Sequence, residues 1–329
     1  MRRLALGAAI LGATIVAAPA YAQLNGEHIL GDTGVNNGTQ PPPGLYIAGL
    51  YYRYATDTIR DADGSKVAID PSQPGSMTLQ AFAPTIVYVS KARILGANFG
   101  MMAAIPIANG GIEAPAFGLN QPISAGLADS YFVPFSLGWH TPHADVNTAF
   151  GLFAPTGRYT AGASDNIGKD MWSYELSAGT TVFFDPNKTW SLATSAYWET
   201  HTQKINRNVT IGGKPSQTGV TVGDLLTLEG GFGRTFLMGA ASVGLAYYAQ
   251  WKVTDDDFGI PVNPPGGPLL GKHRVYGLGP DLTIPIATKS KLIALLNVRY
   301  FWETGARVKT EGDTLVITTT FPVPSVKIK

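Results

Sequence analysis

The feature that most constrains this chain is an alternation of apolar and polar residues that recurs along most of its length, with aromatic residues bounding the apolar side. In KDMWSYELSAGTTVFFD, Trp172, Tyr174, Leu176, Ala178, Val182 and Phe184 share one parity, and Ser173, Glu175, Ser177 and Thr181 the other. TWSLATSAYWETHTQ sets Trp190, Leu192, Ala196 and Trp198 against Ser191, Ser195, Tyr197, Glu199 and His201. ASVGLAYYAQWKV sets Val243, Leu245, Tyr247 and Trp251 against Ser242, Tyr248, Gln250 and Lys252. KLIALLNVRYFWE sets Leu296, Val298, Tyr300 and Trp302 against Asn297, Arg299 and Glu303. A period of two is the signature of a strand. A soluble core gives no reason for aromatic rings at both ends of such a run. A bilayer does, because aliphatic side chains sit in hydrocarbon and aromatic rings at the two interfaces. The apolar parity is therefore read as facing lipid and the polar parity as facing a barrel interior. In PPPGLYIAGLYYRYATDTI this rule assigns Tyr46, Ala48, Leu50, Tyr52 and Tyr54 to lipid, and Tyr51, Arg53 and Asp57 to the lumen.

The chain opens MRRLALGAAILGATIVAAPAYAQ, with Arg2 and Arg3, an apolar run from Leu4 to Ala17, and Ala20-Tyr21-Ala22 as a cleavage box. This predicts a signal peptide over 1–22. Beyond it no apolar run is long enough to cross a bilayer as a helix. There is no cysteine, so an exported chain has no disulfide framework. A net charge of +1 argues against a nucleic-acid partner. No GxGxxG, P-loop, CxxC or HExxH pattern occurs.

Strands are expected near 44–57, 76–90, 93–107, 127–140, 144–155, 170–184, 189–203, 223–236, 239–253, 272–286, 291–305 and 313–321. Short turns near Lys91, Thr141 to His143, Asp185 to Asn187, Leu237 and Thr288 alternate with long links. One of those links is NGGIEAPAFGLNQPISAG. That alternation fits an all-β, antiparallel, up-and-down outer-membrane barrel of about twelve strands over 44–321, with short periplasmic turns and long outer loops. Pro84, Pro134 and Pro280 fall inside strands and predict bulges or kinks. Residues 23–43 have no strand period; they form either a free periplasmic tail or a lumen plug, with Glu27 or Asp32 meeting Arg53 or Arg299. Residues 322–329 are read as a C-terminal tail.

The candidate lumen lining is Arg53, Glu175, Tyr197, Glu199, His201, Glu229, Tyr248, Lys252, Asp281, Arg299 and Glu303. Their mixed charges pair across the interior, and the tyrosines offer amphipathic contacts to a solute. His140 and His143 flank a turn without further ligands, and Asp255 to Asp257 lack the spacing of a calcium loop, so no metal and no cofactor is expected. No serine, histidine and acid set points to an enzyme.

Four stretches carry a resemblance: GDTGVNNGTQPPPGLYIAGLYYRYATDTIRDADG, PFSLGWH, FAPTGRYTAGASDNIGKDMWSYE and SAYWETHTQ. They resemble the Putative MetA-pathway of phenol degradation family, sphingosine-associated members included. The resemblance implies an outer-membrane barrel that aids passive uptake of small hydrophobic or aromatic compounds. Outer-membrane lipid, lipopolysaccharide, such a solute and the barrel-insertion machinery are the expected partners of a monomer. A plugged structural or adhesive barrel without transport is the alternative. The family's motifs mark a barrel and carry no ligand residues over to this chain. The strand ending at Phe321 is followed by PVPSVKIK, whereas barrel chains often end on an aromatic.

Overall fold

In the computed structural model the described residues are 25–67, 75–115, 119–160, 163–205, 208–211, 214–217, 219–237, 240–257, 271–323 and 326–327. The expected signal peptide lies outside them. Twelve antiparallel strands close into a barrel. They are β1 (Gly44–Thr56), β2 (Ser76–Ile94), β3 in two segments (Ala97–Ala104 and Ile107–Ala114) and β4 in two segments (Leu119–Leu127 and Ser130–His140). There follow β5 (Ala144–Ala154), β6 (Ser173–Phe183), β7 (Trp190–His201), β8 (Leu225–Phe236), β9 (Ala241–Lys252), β10 (Arg274–Ala287), β11 (Lys291–Arg307) and β12 (Asp313–Val323).

Closure is made by β1, which pairs with β2 from Gly44↔Val89 to Thr56↔Met77 and with β12 from Leu45↔Val323 to Ala55↔Asp313. A closed ladder leaves no sheet edge with unpaired backbone groups, the condition for placing strands in hydrocarbon. The outward face is accordingly apolar: Leu176 is 60% exposed, Leu245 54% and Trp302 57%. Trp172, Tyr174, Trp190 and Trp198 are also exposed, at the two ends of their strands.

Three details differ from the sequence expectation. The link NGGIEAPAFGLNQPISAG is mostly strand: Ile107–Ala114 pairs with Leu119–Leu127 and with β2, so this hairpin rises beyond the barrel rim. Its Gly and Pro content reads as loop by composition, yet one side is held by the long β2 and the other by Arg158, which donates to the carbonyls of Ser124 and Ala125. The β2–β3 turn falls at Leu95–Gly96 rather than Lys91, with φ of 51° and 81°. Two consecutive left-handed residues form the hairpin turn whose twist matches the flanking strands. Of the strand prolines, Pro134 sits in a bulge that shifts register toward both neighbours. Pro84 faces the break between the two β3 segments and accepts from the Ile105 amide at 3.2 Å. Pro280 pairs with Leu245 on one side and inserts no extra residue, while the pairing with β11 is interrupted at Gly279 and Pro280, where the amide donor is lost, and resumes in the same register at Asp281↔Arg299.

The expected C-terminal tail is partly strand. The barrel runs to Val323, and Val326–Lys327 pairs with Lys291–Leu292 of β11.

Candidate functional site: the barrel lumen

Residues 25–43 enter the barrel and run along one side of it. Their backbone donors meet carboxylates from β7, β8 and β10. Glu199 on β7 accepts from the amides of Glu27 (2.6 Å) and His28 (3.2 Å). Glu229 on β8 accepts from the Gly31 amide at 2.7 Å and the Thr33 hydroxyl at 2.8 Å. Asp281 on β10 accepts from the Val35 amide at 2.9 Å. Going the other way, Arg299 on β11 donates to the Gly31 carbonyl at 3.0 Å. Tyr197 donates to Asn37 Oδ1 at 3.0 Å, and Asn147 to the Asn37 carbonyl at 3.1 Å. Lys169 donates to the Gly26 carbonyl and lies 3.6 Å from Glu27. A segment without secondary structure has no internal ladder, so these partners satisfy its buried backbone groups.

Two apolar side chains complete the contact. Leu30 packs into a buried cluster with Ala246, Tyr248, Val275, Phe301 and Val316. Val35, 2% exposed, occupies the space left by three glycines of β8 and β9. A Cβ at Gly233 would come within 2.8 Å of Val35, and one at Gly244 within 2.7 Å.

The other side of the lumen is apolar. Leu50 and Tyr52 of β1, Leu79, Ala81, Ala83 and Val87 of β2, Met102 and Ala104 of β3, and Tyr131 and Val133 of β4 line a cavity of about 1520 Å³. The cavity reaches Met77, Ile112 and Ile123 toward the long-loop end, and Asn187, Leu292 and Pro322 toward the short-turn end. The lumen is thus divided lengthwise: β6, β7, β8, β10 and β11 each place a charged group against the N-terminal segment, and β1 to β4 present a mainly apolar face to the cavity.

The sequence candidates distribute over this division. Glu175, Tyr197, Glu199, Glu229, Asp281 and Arg299 contact the N-terminal segment. Nearer the long-loop end, Glu303 accepts from the hydroxyls of Tyr54 (2.9 Å) and Tyr248 (3.0 Å) and from the Gly312 amide (2.8 Å). There, too, His201 binds Glu199 at 2.9 Å, and Lys252 binds Asp256 at 2.7 Å. The acidic loop Asp255 to Asp257 therefore serves a lysine at the barrel rim. Arg53 is a correction. Tyr46, Ala48, Leu50 and Tyr52 line the cavity and Tyr54 reaches Glu303, so the alternation turns Arg53 and Tyr51 outward. The polar-inward rule fails on β1 because the lumen it faces is the apolar half: the inward parity is itself aliphatic and aromatic, and the outward one carries Arg53 near the strand end. Asp57 lies outside the barrel wall, its carboxyl held below the usual range by the Thr58 hydroxyl and then by Lys66.

Residues missed by the strand pattern belong to the N-terminal segment. His28 is inside the lumen with Nδ1 2.7 Å from Glu175 and Nε2 3.3 Å from Glu229. The signal available was the excess of inward carboxylates over inward cations, which required donors from elsewhere. His140 remains at its turn, 3.3 Å from Asp145. In the loop after β7, Lys204 is buried and donates to the Lys169 carbonyl at 2.5 Å; burial, then the Lys169 charge, push its ammonium down to about 8.

Among solved structures, the chain is similar to an outer membrane channel from Pseudomonas putida F1, at 14% identity and a TM-score of 0.67, over 90% of this chain and 99% of that one. It is also similar to the beta domain of the Bordetella autotransporter BrkA, at 14% identity and a TM-score of 0.51, over 85% and 99% of the two chains. No curated protein matches. A family model described as Putative MetA-pathway of phenol degradation matches residues 56–319, which is most of the barrel. The chain is a twelve-stranded outer-membrane β-barrel and belongs to the Putative MetA-pathway of phenol degradation family.

Proposed function

We propose that this barrel is a passive channel for small hydrophobic or aromatic compounds, and that the N-terminal segment is a fixed plug in its polar half. The observation that carries the reading is the lengthwise division of the lumen. A path for ions or sugars needs a polar wall in contact with water. Here the segment engages much of the polar wall, and the wall of β1 to β4 is mainly aliphatic and aromatic, with Asp145, Glu303 and Lys309 as charged groups that also line the cavity. Ligand sites of this type are mostly apolar with few polar groups. The outer-membrane channel of Pseudomonas putida F1, which shares this fold, adds support at the level of architecture. A structural barrel filled by its own side chains would leave no cavity of this size along one wall. In this reading transport follows the solute gradient.

The test is uptake by Gram-negative cells that lack other hydrocarbon channels, whose lipopolysaccharide leaflet slows hydrophobic solutes. The wild-type barrel is expected to raise the initial uptake of a labelled monoaromatic compound. Ala83→Trp, which fills the passage beside β2, is expected to abolish most of the gain while the barrel still folds. Equal uptake with and without the barrel would remove the proposal.

A further inference from the structure

Where the N-terminal segment crosses β6 and β8, His28, Asp32 and Glu229 bring one ligand atom each to within 4.8 Å of one another. Two other observations give this cluster a direction. The Asp32 Oδ1 atom is buried and has no hydrogen-bond partner among the described residues. A buried carboxylate oxygen without a partner is costly, so this one points to a missing cationic group. His28 is also held in one orientation. Its Nδ1 is 2.7 Å from Glu175 Oε2, and Glu175 Oε1 accepts from the Tyr131 hydroxyl at 2.6 Å. In a neutral ring this contact puts the proton on Nδ1 and turns the Nε2 lone pair toward Glu229 and Asp32.

A histidine that hands one ring N–H to a carboxylate and turns its other nitrogen toward two oxygens matches the outer-shell pattern of metal-ligating histidines. Glu229 is oriented too, by the Gly31 amide and the Thr33 hydroxyl. We propose that His28, Asp32 and Glu229 form a site for one divalent transition-metal ion of the Zn²⁺ class, which clamps the N-terminal segment to the wall of β8. One nitrogen and two carboxylates suit such an ion better than Ca²⁺, which takes six to eight oxygens. Two carboxylates and a neutral imidazole also balance its charge. Bonds of about 2.0–2.2 Å require donors that now stand up to 4.8 Å apart to draw in around the ion, and Asp32 lies on a segment outside the sheet, where its shift breaks no ladder. Two ligands come from the segment and one from the barrel, so occupancy ties the two together. The competing arrangement is a protonated His28 bridging Glu175 and Glu229; it needs no ion and leaves Asp32 Oδ1 unpartnered.

The experiment uses the full barrel in detergent, stripped with a chelator and then dialysed. Zn²⁺ is titrated by calorimetry, and Co²⁺ is followed by its visible absorption. One ion per barrel is expected. Asp32→Asn should weaken binding by about 100-fold, and Glu175→Gln by about 10–100-fold through the lost orientation of His28. Glu311→Gln, in the Arg60 pair outside this cluster, should change nothing. Chelation should raise the single-channel conductance of the wild type and leave Asp32→Asn unaffected. Heat-modifiable mobility on gels verifies that each variant folds; Asp32→Asn lies outside the strands and keeps the test open if Glu229→Gln does not fold. The proposal is overturned by absence of one-to-one binding, by equal binding in Asp32→Asn, or by chelation that leaves wild-type conductance unchanged. Each of these readouts uses the metal alone and no hydrophobic solute, so a failure here is distinct from a failure of the uptake reading.

Discussion

Arg299 donates from Nη1 to the carbonyl of Gly31 at 3.0 Å, joining the eleventh strand to a residue 268 positions earlier in the chain. Its Nε also donates to Asn297 at 2.6 Å, so the guanidinium is held from two sides. A hydrogen bond to a charged group contributes about 1.5–3 kcal/mol. Arg299→Gln is expected to leave the barrel folded and to raise the frequency of open-channel events by roughly 10- to 100-fold, at about 1.4 kcal/mol per tenfold. Planar-bilayer recordings measure this. Unchanged recordings would mean that the segment is held without Arg299.

The seat of Val35 gives a second, uncharged test. Gly233 and Gly244 leave the space it fills. Gly233→Val puts a side chain where Val35 lies and is expected to expel it, at a cost near the roughly 1.5–3 kcal/mol of a buried aliphatic side chain. Proteolysis of residues 25–43 in the detergent-solubilised barrel should accelerate, with the barrel itself intact. Equal cleavage of variant and wild type would show that Val35 does not anchor the segment.

The two faces of the wall predict opposite responses to the same residue. Leu245 is 54% exposed on the outside of β9, near its middle. Leu245→Arg should destabilise folding into vesicles by about 2–4 kcal/mol. Val87 faces the cavity from β2. Val87→Arg should fold nearly as well as the wild type, yet lower uptake of a hydrophobic solute. If both variants fold equally poorly, the assignment of faces on these strands is incorrect.

The barrel was legible from its strands because a bilayer imposes the same alternation on each of them, and aromatic ends mark the interfaces. Glu175, Glu199, Glu229, Asp281 and Arg299 stand out because each is a charge set in an otherwise apolar strand. Arg53 was not placed by that logic, since β1 faces the apolar half of the lumen and its inward parity is itself aliphatic and aromatic. His28 and Asp32 were harder still. They act from a segment with no period, and its position depends on matching its donors and acceptors to charged groups on five separate strands. The glycines that seat Val35 read as weak strand residues until the side chain that fills them is known.

The central claim is that hydrophobic solutes travel along the wall of β1 to β4. The chain has no cysteine, so single replacements report cleanly. Thr85 lines the cavity, whereas Ser195 is buried in the polar half, 2% exposed. The measurement is the rate at which an apolar thiol reagent modifies Thr85→Cys and Ser195→Cys in membranes, with and without a monoaromatic hydrocarbon. The account predicts fast modification at Thr85→Cys that the hydrocarbon slows, and slow modification at Ser195→Cys that it leaves unchanged. Modification at Thr85→Cys that ignores the hydrocarbon, or protection that is equal at both positions, would contradict it.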